Sequence, residues 1–135
     1  MVRLRFREWT VRAAIRGMAS YLKYDRKPAA ERLLDKLLLL HSAVSRAQVR
    51  YGTPSLYRIR KRGVQVDLNR QAYATPKFSI TELRILREGL ELMSIMLRGT
   101  GRQMNSSEAG LLWKVKIVYS AMCLHRNPQR ALMVR

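Results

Sequence analysis

Arg58, Arg60, Lys61 and Arg62 place four cations within five positions, on a stretch where Tyr57, Ile59, Val64, Val66 and Leu68 surround Gly63. That pattern predicts a short basic β-hairpin or extended loop over 55–69. A two-stranded ribbon is narrow enough to enter a nucleic-acid groove, so the chemistry on offer is phosphate neutralisation. A second cationic set lies in 1–27, where Arg3, Arg5, Arg7, Arg12, Arg16, Lys23, Arg26 and Lys27 face only Glu8 and Asp25 as acids. Trp9 sits among them, and arginine beside an aromatic suits phosphate contact with base or ribose stacking. Arg70, Arg102, Arg126 and Arg130 complete the candidate nucleic-acid-binding residues.

Chemistry of other kinds has little foothold. His41 and His125 are far apart in sequence, and neither falls in a nucleophile, zinc or general-base motif. Gly99-Thr100-Gly101-Arg102 lacks the length and the Lys-Ser/Thr ending of a phosphate loop. Cys123, the single cysteine, cannot form an internal disulfide and reads as a small core residue. Asn105-Ser106-Ser107 spells a glycosylation acceptor, but no secretory signal accompanies it and it reads as a helix cap. The expectation is a non-enzyme with no catalytic residue, no metal ligand and no cofactor.

The elements that must position these cations are mainly helical. When each residue advances by about 100°, 5–23 splits into an apolar side with Val11, Ala14, Met18 and Tyr21 and an opposite side with Arg5, Arg12, Arg16 and Lys23. Trp9 lands near the basic side, on which acids are nearly absent. Pro28 suits the start of a second helix, with a stripe of Ala30, Leu33, Leu34, Leu37, Leu38, His41 and Val44. Glu31 and Asp35 early and Arg46 and Arg50 late follow the order the helix dipole favours. His41 on that stripe reads as partly buried and hydrogen-bonded, not as a ligand. Residues 69–77 show no period and read as a connection marked by Pro76.

Ser79 with Glu82 forms a capping-box pattern ahead of Leu83, Leu86, Leu90, Met93 and Leu97, and Gly99 and Gly101 close that helix. Ile85, Leu92, Ile95 and Met96 make it apolar on more than one side, as a central helix or one offering a face to a protein partner would be. Asn105 with Glu108 caps a fourth helix, whose stripe is Leu111, Val115, Val118 and Met122, widened by Leu112, Tyr119 and Cys123. Asn127 and Pro128 stop it, leaving 128–135 as a tail. The expected fold is mainly α: a four-helix compact domain over 1–135, with the basic hairpin between helices 2 and 3.

At 135 residues and 47% hydrophobic, the chain supports one modest core, and its apolar content argues against disorder. Its formal net charge is +18. The segment from 1 to 27 carries +6, 28–50 +2, 51–78 +5, 79–98 zero and 99–135 +5. Twenty arginines against seven lysines favour forked, stacked contacts over loose ionic association. No run is long and uncharged enough to span a bilayer.

Leu56-Tyr57-Arg58 resembles the signature of the small mitochondrial LYR proteins, in which the motif opens the first helix; here it follows a break. Asp25-Arg26-Lys27 followed by Ala30-Glu31-Arg32 is similar to the early helix junction of a small-subunit ribosomal protein family that contacts RNA of the ribosomal head through a basic β-ribbon. Neither resemblance extends to further motifs. The leading expectation is a non-catalytic component of a large ribonucleoprotein, binding structured RNA such as ribosomal RNA and touching neighbouring proteins through apolar helix faces. A mitochondrial ribosome is the expected setting, with a cytoplasmic or peripheral-membrane location as the alternative; 1–27 is basic and poor in acids in the manner of a mitochondrial targeting segment, but its pattern continues smoothly into helix 2 and the favoured reading is the first structured element of the mature chain. The competing expectations are a membrane-surface or viral matrix-type protein that binds anionic lipid through the basic helix, and a helical accessory subunit of a mitochondrial complex.

Overall fold

Residues 2–7 alternate apolar and basic, and in the computed structural model they adopt the extended chain that a period of two dictates. Val2–Arg3 forms β1, which pairs antiparallel with β4 at Lys77–Phe78, and Phe6 bridges to Ala74. Leu4 and Phe6 are buried beneath this ribbon, whereas Arg3, Arg5 and Arg7 are exposed. The expectation of a helix from residue 5 is therefore corrected: the backbone turns helical only after Arg7, and Glu8–Tyr24 forms α1. Residues 74–77, expected as part of the connection over 69–77, instead join Phe78 in supplying the partner strand. The structure describes residues 1–51, 57–61, 64–68 and 74–126, with side chains over 1–46 and 74–124.

The remaining helices are α2 at Pro28–Tyr51, α3 at Ile80–Gly99 and α4 at Ser106–Arg126, so the fold is mainly α with four helices. Each is started by the chemistry its sequence carries. Pro28 opens α2 where the missing N–H costs nothing. Ser79 and Glu82 satisfy each other's backbone N–H groups at 3.1 and 2.9 Å, and Asn105 and Glu108 do the same at 2.8 and 2.9 Å. Gly101, with φ of 74°, turns the chain between α3 and α4 in a conformation that favours glycine. Between α2 and β4, β2 at Tyr57–Lys61 and β3 at Val64–Leu68 pair antiparallel, with Arg58 opposite Asp67 and Arg60 opposite Gln65. The expected hairpin is thus present as paired strands.

Helix α1 lies at the centre, packed against α2, α3 and α4. Its contact with α3 is made at two glycines. A Cβ added to Gly89 would fall 2.5 Å from the Gly17 carbonyl oxygen, so the backbones touch where no larger residue fits. Ala13, Ala14, Met18 and Tyr21 of α1 and Leu83, Leu86 and Leu90 of α3 are buried in the same core. On α2 the buried line runs Ala30, Leu33, Leu37, Leu40, Ala43 and Val44, which leaves Leu38 exposed and corrects its place in the expected stripe. Because residues 1–27 supply the central helix and one strand, they are part of this folded core.

Candidate nucleic-acid interface

The ribbon of 2–6 against 74–78 builds a cationic face from its backbone register. Leu4 N donates to Pro76 O at 3.2 Å, and Phe6 and Ala74 exchange both backbone hydrogen bonds at 2.8 Å. With Leu4, Phe6 and Phe78 facing the core, the alternate residues Arg3, Arg5 and Arg7 lie on the outside, about 7 Å apart along the strand. Lys77, exposed, is the direct cross-strand partner of Arg3. The Phe6 and Phe78 rings sit 5.4 Å apart beneath the ribbon, and Lys114 of α4 donates to the Arg5 carbonyl at 3.5 Å. At the strand-to-helix junction Arg7 takes the N-cap position without a side-chain cap; its guanidinium lies 5.2 Å over the ring of Trp9, which is 50% exposed.

The other N-terminal candidates divide. Arg12 pairs with Glu8 at 2.6 Å and points Nε toward His41 at 3.4 Å. Arg16 donates Nε to Glu108 at 2.7 Å, and Glu108 is buried, its second oxygen already serving the α4 cap. The expectation that the basic side of α1 is nearly free of acids is thus corrected: Glu8 comes from the same helix one turn earlier, and Glu108 from α4. Arg12 and Arg16 tie the bundle together. Lys23, Arg26 and Lys27 are exposed around the α1–α2 junction; the Tyr21 phenol, and then Asp25, hold the Lys27 ammonium above its ordinary pKa. Arg102 is exposed just after the α3–α4 turn at Gly101.

Arg58, Arg60 and Lys61 stand on β2 and Arg126 ends α4, all placed by backbone alone, whereas Arg62, Arg70, Arg130 and the 128–135 tail lie outside the described residues. Sequence reasoning missed Lys77, whose place opposite Arg3 is visible only once the two strands pair. It also missed Lys36, a mostly buried lysine that donates to the Lys77 carbonyl, pairs with Glu82 at 3.1 Å and lies 4.7 Å over the Phe78 ring. His41 is half-buried between Arg12 and Glu8, as a hydrogen-bonded histidine should be. Among the described residues no three His, Cys, Asp or Glu side chains gather as a metal site would need.

Acids elsewhere are similarly engaged, Lys27 with Asp25 at 3.5 Å and Lys116 with Glu91 at 3.4 Å. Arg87 stacks 4.8 Å over Tyr119, which offsets the missing hydrogen-bond partner of its buried Nε. The Tyr119 hydroxyl is held above its ordinary pKa first by its hydrogen bond to Cys123, outweighing the nearby arginines. An open depression of about 360 Å³ along α4 is lined by Tyr119, Ser120, Cys123 and Leu124, without a cation among those lining residues. The outer side of α4 exposes Trp113, Ile117 and Leu124, and α3 exposes Ile95 and Met96. Among the described residues no helix is long and apolar enough to cross a membrane. No protein-family model, curated protein or solved structure matches the chain. The Tyr57-Arg58 part of the LYR-like tripeptide begins a strand here, not a first helix.

Proposed function

We propose that this protein is a non-catalytic, RNA-binding structural component of a large ribonucleoprotein, an organellar ribosome being the setting that its composition suits. The observation that carries this reading is how the acids are used. Glu8, Asp25, Glu82, Glu91 and Glu108 are each within ion-pair distance of a base inside the fold. Five of the nine carboxylates are thereby engaged with the chain's own bases, and a cationic surplus of +18 remains. That surplus favours a polyanion, and the ordered row of Arg3, Arg5, Arg7 and Lys77 with Trp9 at its end favours one made of phosphates and bases over one made of lipid headgroups. The exposed apolar side of α4 is assigned in this reading to a neighbouring protein of the assembly, since a second copy would bring two +18 surfaces together.

The test is direct competition. Purified full-length protein is offered a structured ribosomal RNA fragment and anionic phospholipid vesicles at ~150 mM salt, where exposed charges are screened beyond about 8 Å. Retention on the RNA is expected. Sedimentation with vesicles and no retention on RNA would refute the ribonucleoprotein reading in favour of a membrane-surface role.

A further inference from the structure

The chain passes from α1 to α2 through a tight corner whose exposed side chains are mostly cationic. Asp25 ends α1 in extended backbone with its N–H on the Tyr21 carbonyl at 2.8 Å, and the Lys27 carbonyl accepts from Ala30 and Glu31 at 3.0 and 3.1 Å to start α2. Lys23, Arg26 and Lys27 are thereby exposed close together. Tyr24 stands among them 77% exposed, although Tyr21 one turn earlier is buried. Arg98 and Arg102 are exposed on either side of the α3–α4 turn. Arg16, two turns before the end of α1, holds Glu108 in the first turn of α4 at 2.7 Å, so that turn lies beside the C-terminal half of α1. Lys27 is engaged with Asp25 at 3.5 Å, whereas Lys23, Arg26, Arg98 and Arg102 take part in none of the ion pairs among the described residues. Lys23 and Arg98 suit the last turns of α1 and α3, but Arg26 precedes the start of α2, the end of a helix dipole where a cation is disfavoured.

We infer that this end of the helical bundle is an RNA-binding site of its own, with backbone phosphates on Lys23, Arg26, Arg98 and Arg102 and an unpaired base stacked on Tyr24. The inference rests on the RNA-binding reading and adds to it a contact surface apart from the N-terminal ribbon and the β2–β3 strands. Guanidinium and ammonium groups supply the phosphate contacts, and an exposed phenol ring offers a face to an unstacked base. A lipid headgroup would use the same cations, but insertion into a bilayer needs apolar side chains beside them. Between residues 10 and 37 Tyr24 is the only large hydrophobic side chain left exposed, so the corner has an aromatic platform and no aliphatic anchor.

The experiment titrates full-length protein with a structured ribosomal RNA fragment containing unpaired loops over a range of salt concentrations, and with anionic phospholipid vesicles alongside. Lys23→Glu with Arg26→Glu, and Arg98→Glu with Arg102→Glu, are each expected to flatten the dependence of log Kd on log salt by about 1.5. Arg84→Glu with Lys116→Glu makes the same change of charge at exposed positions elsewhere on α3 and α4, and is expected to leave the slope within about 0.5. Tyr24→Ala is expected to weaken RNA binding by about 5- to 150-fold, and Tyr24→Phe to retain it. Circular dichroism confirms that each variant is folded. Equal flattening by all three pairs, flattening by none, or an unaffected Tyr24→Ala overturns this site, while RNA binding by the parent leaves the RNA-binding reading standing. A parent that binds the vesicles and not the RNA overturns both.

Discussion

Gly89→Ala is expected to loosen the central helix crossing, and its size follows from the geometry. The added Cβ would lie 2.5 Å from the Gly17 carbonyl oxygen and 3.2 Å from the Tyr21 Cβ, against an ordinary contact of 3.4 Å or more. Neither neighbour is the free end of a flexible side chain, so α1 and α3 must separate by close to an ångström along a buried interface. Overpacking of this kind costs about 1–3 kcal/mol, with a backbone clash toward the upper end. Alanine returns about 1 kcal/mol over glycine in a helix interior. The net expectation is a loss of about 1–2 kcal/mol, or a melting temperature lower by roughly 4–8 °C for a chain of this size. The assay is thermal and urea unfolding followed by far-ultraviolet circular dichroism. Gly110→Ala is the internal control: nothing lies within 4 Å of its Cβ, so the same substitution in α4 should gain about 1 kcal/mol. If Gly89→Ala melts at or above the parent, as Gly110→Ala should, the close crossing is refuted.

Phe6→Ala, at a fully buried ring stacked near Phe78, should cost about 3–5 kcal/mol and also weaken RNA retention, because it removes the floor under the arginine row; a stability loss with unchanged RNA affinity would separate that ribbon from binding. Glu108→Gln should destabilise by about 1–3 kcal/mol, since Arg16 loses a buried carboxylate partner, whereas Glu8→Gln at the more exposed pair should cost under about 1 kcal/mol; paired urea titrations decide the order. Reversing Arg3, Arg5 and Arg7 together to Glu should flatten the dependence of log Kd on log salt by about 2 for a single-stranded RNA, and an unaltered slope would place the phosphate contacts elsewhere.

The elements that announce themselves locally were legible in the sequence. Helices α2, α3 and α4 carry apolar residues at threes and fours and two reciprocal caps, and the β2–β3 pairing follows from alternation on both sides of Lys61-Arg62-Gly63. What escaped were features decided by distant partners. Val2, Leu4 and Phe6 alternate with Arg3, Arg5 and Arg7, which is a strand signal, but the run abuts a helical pattern and its partner strand lies about seventy residues on, beside Pro76. Gly17 and Gly89 stand inside helices where glycine is costly, a hint of close packing that only the crossing explains. Glu108 reads as a cap from Asn105, yet nothing local reveals that its other oxygen takes Arg16 from 92 positions away. The cationic site was accordingly readable as residue types, while its arrangement was not: Arg12 and Arg16 went to the fold, and Lys77 joined the row.

The measurement that bears most directly on the RNA assignment is ultraviolet crosslinking of the protein in its native assembly, followed by mass spectrometry of the nucleotide-bearing peptides. Nucleotide adducts on the peptide containing Trp9, and on peptides from the 57–68 strands, are the predicted result. Native material whose peptides carry no nucleotide at either place would contradict the account.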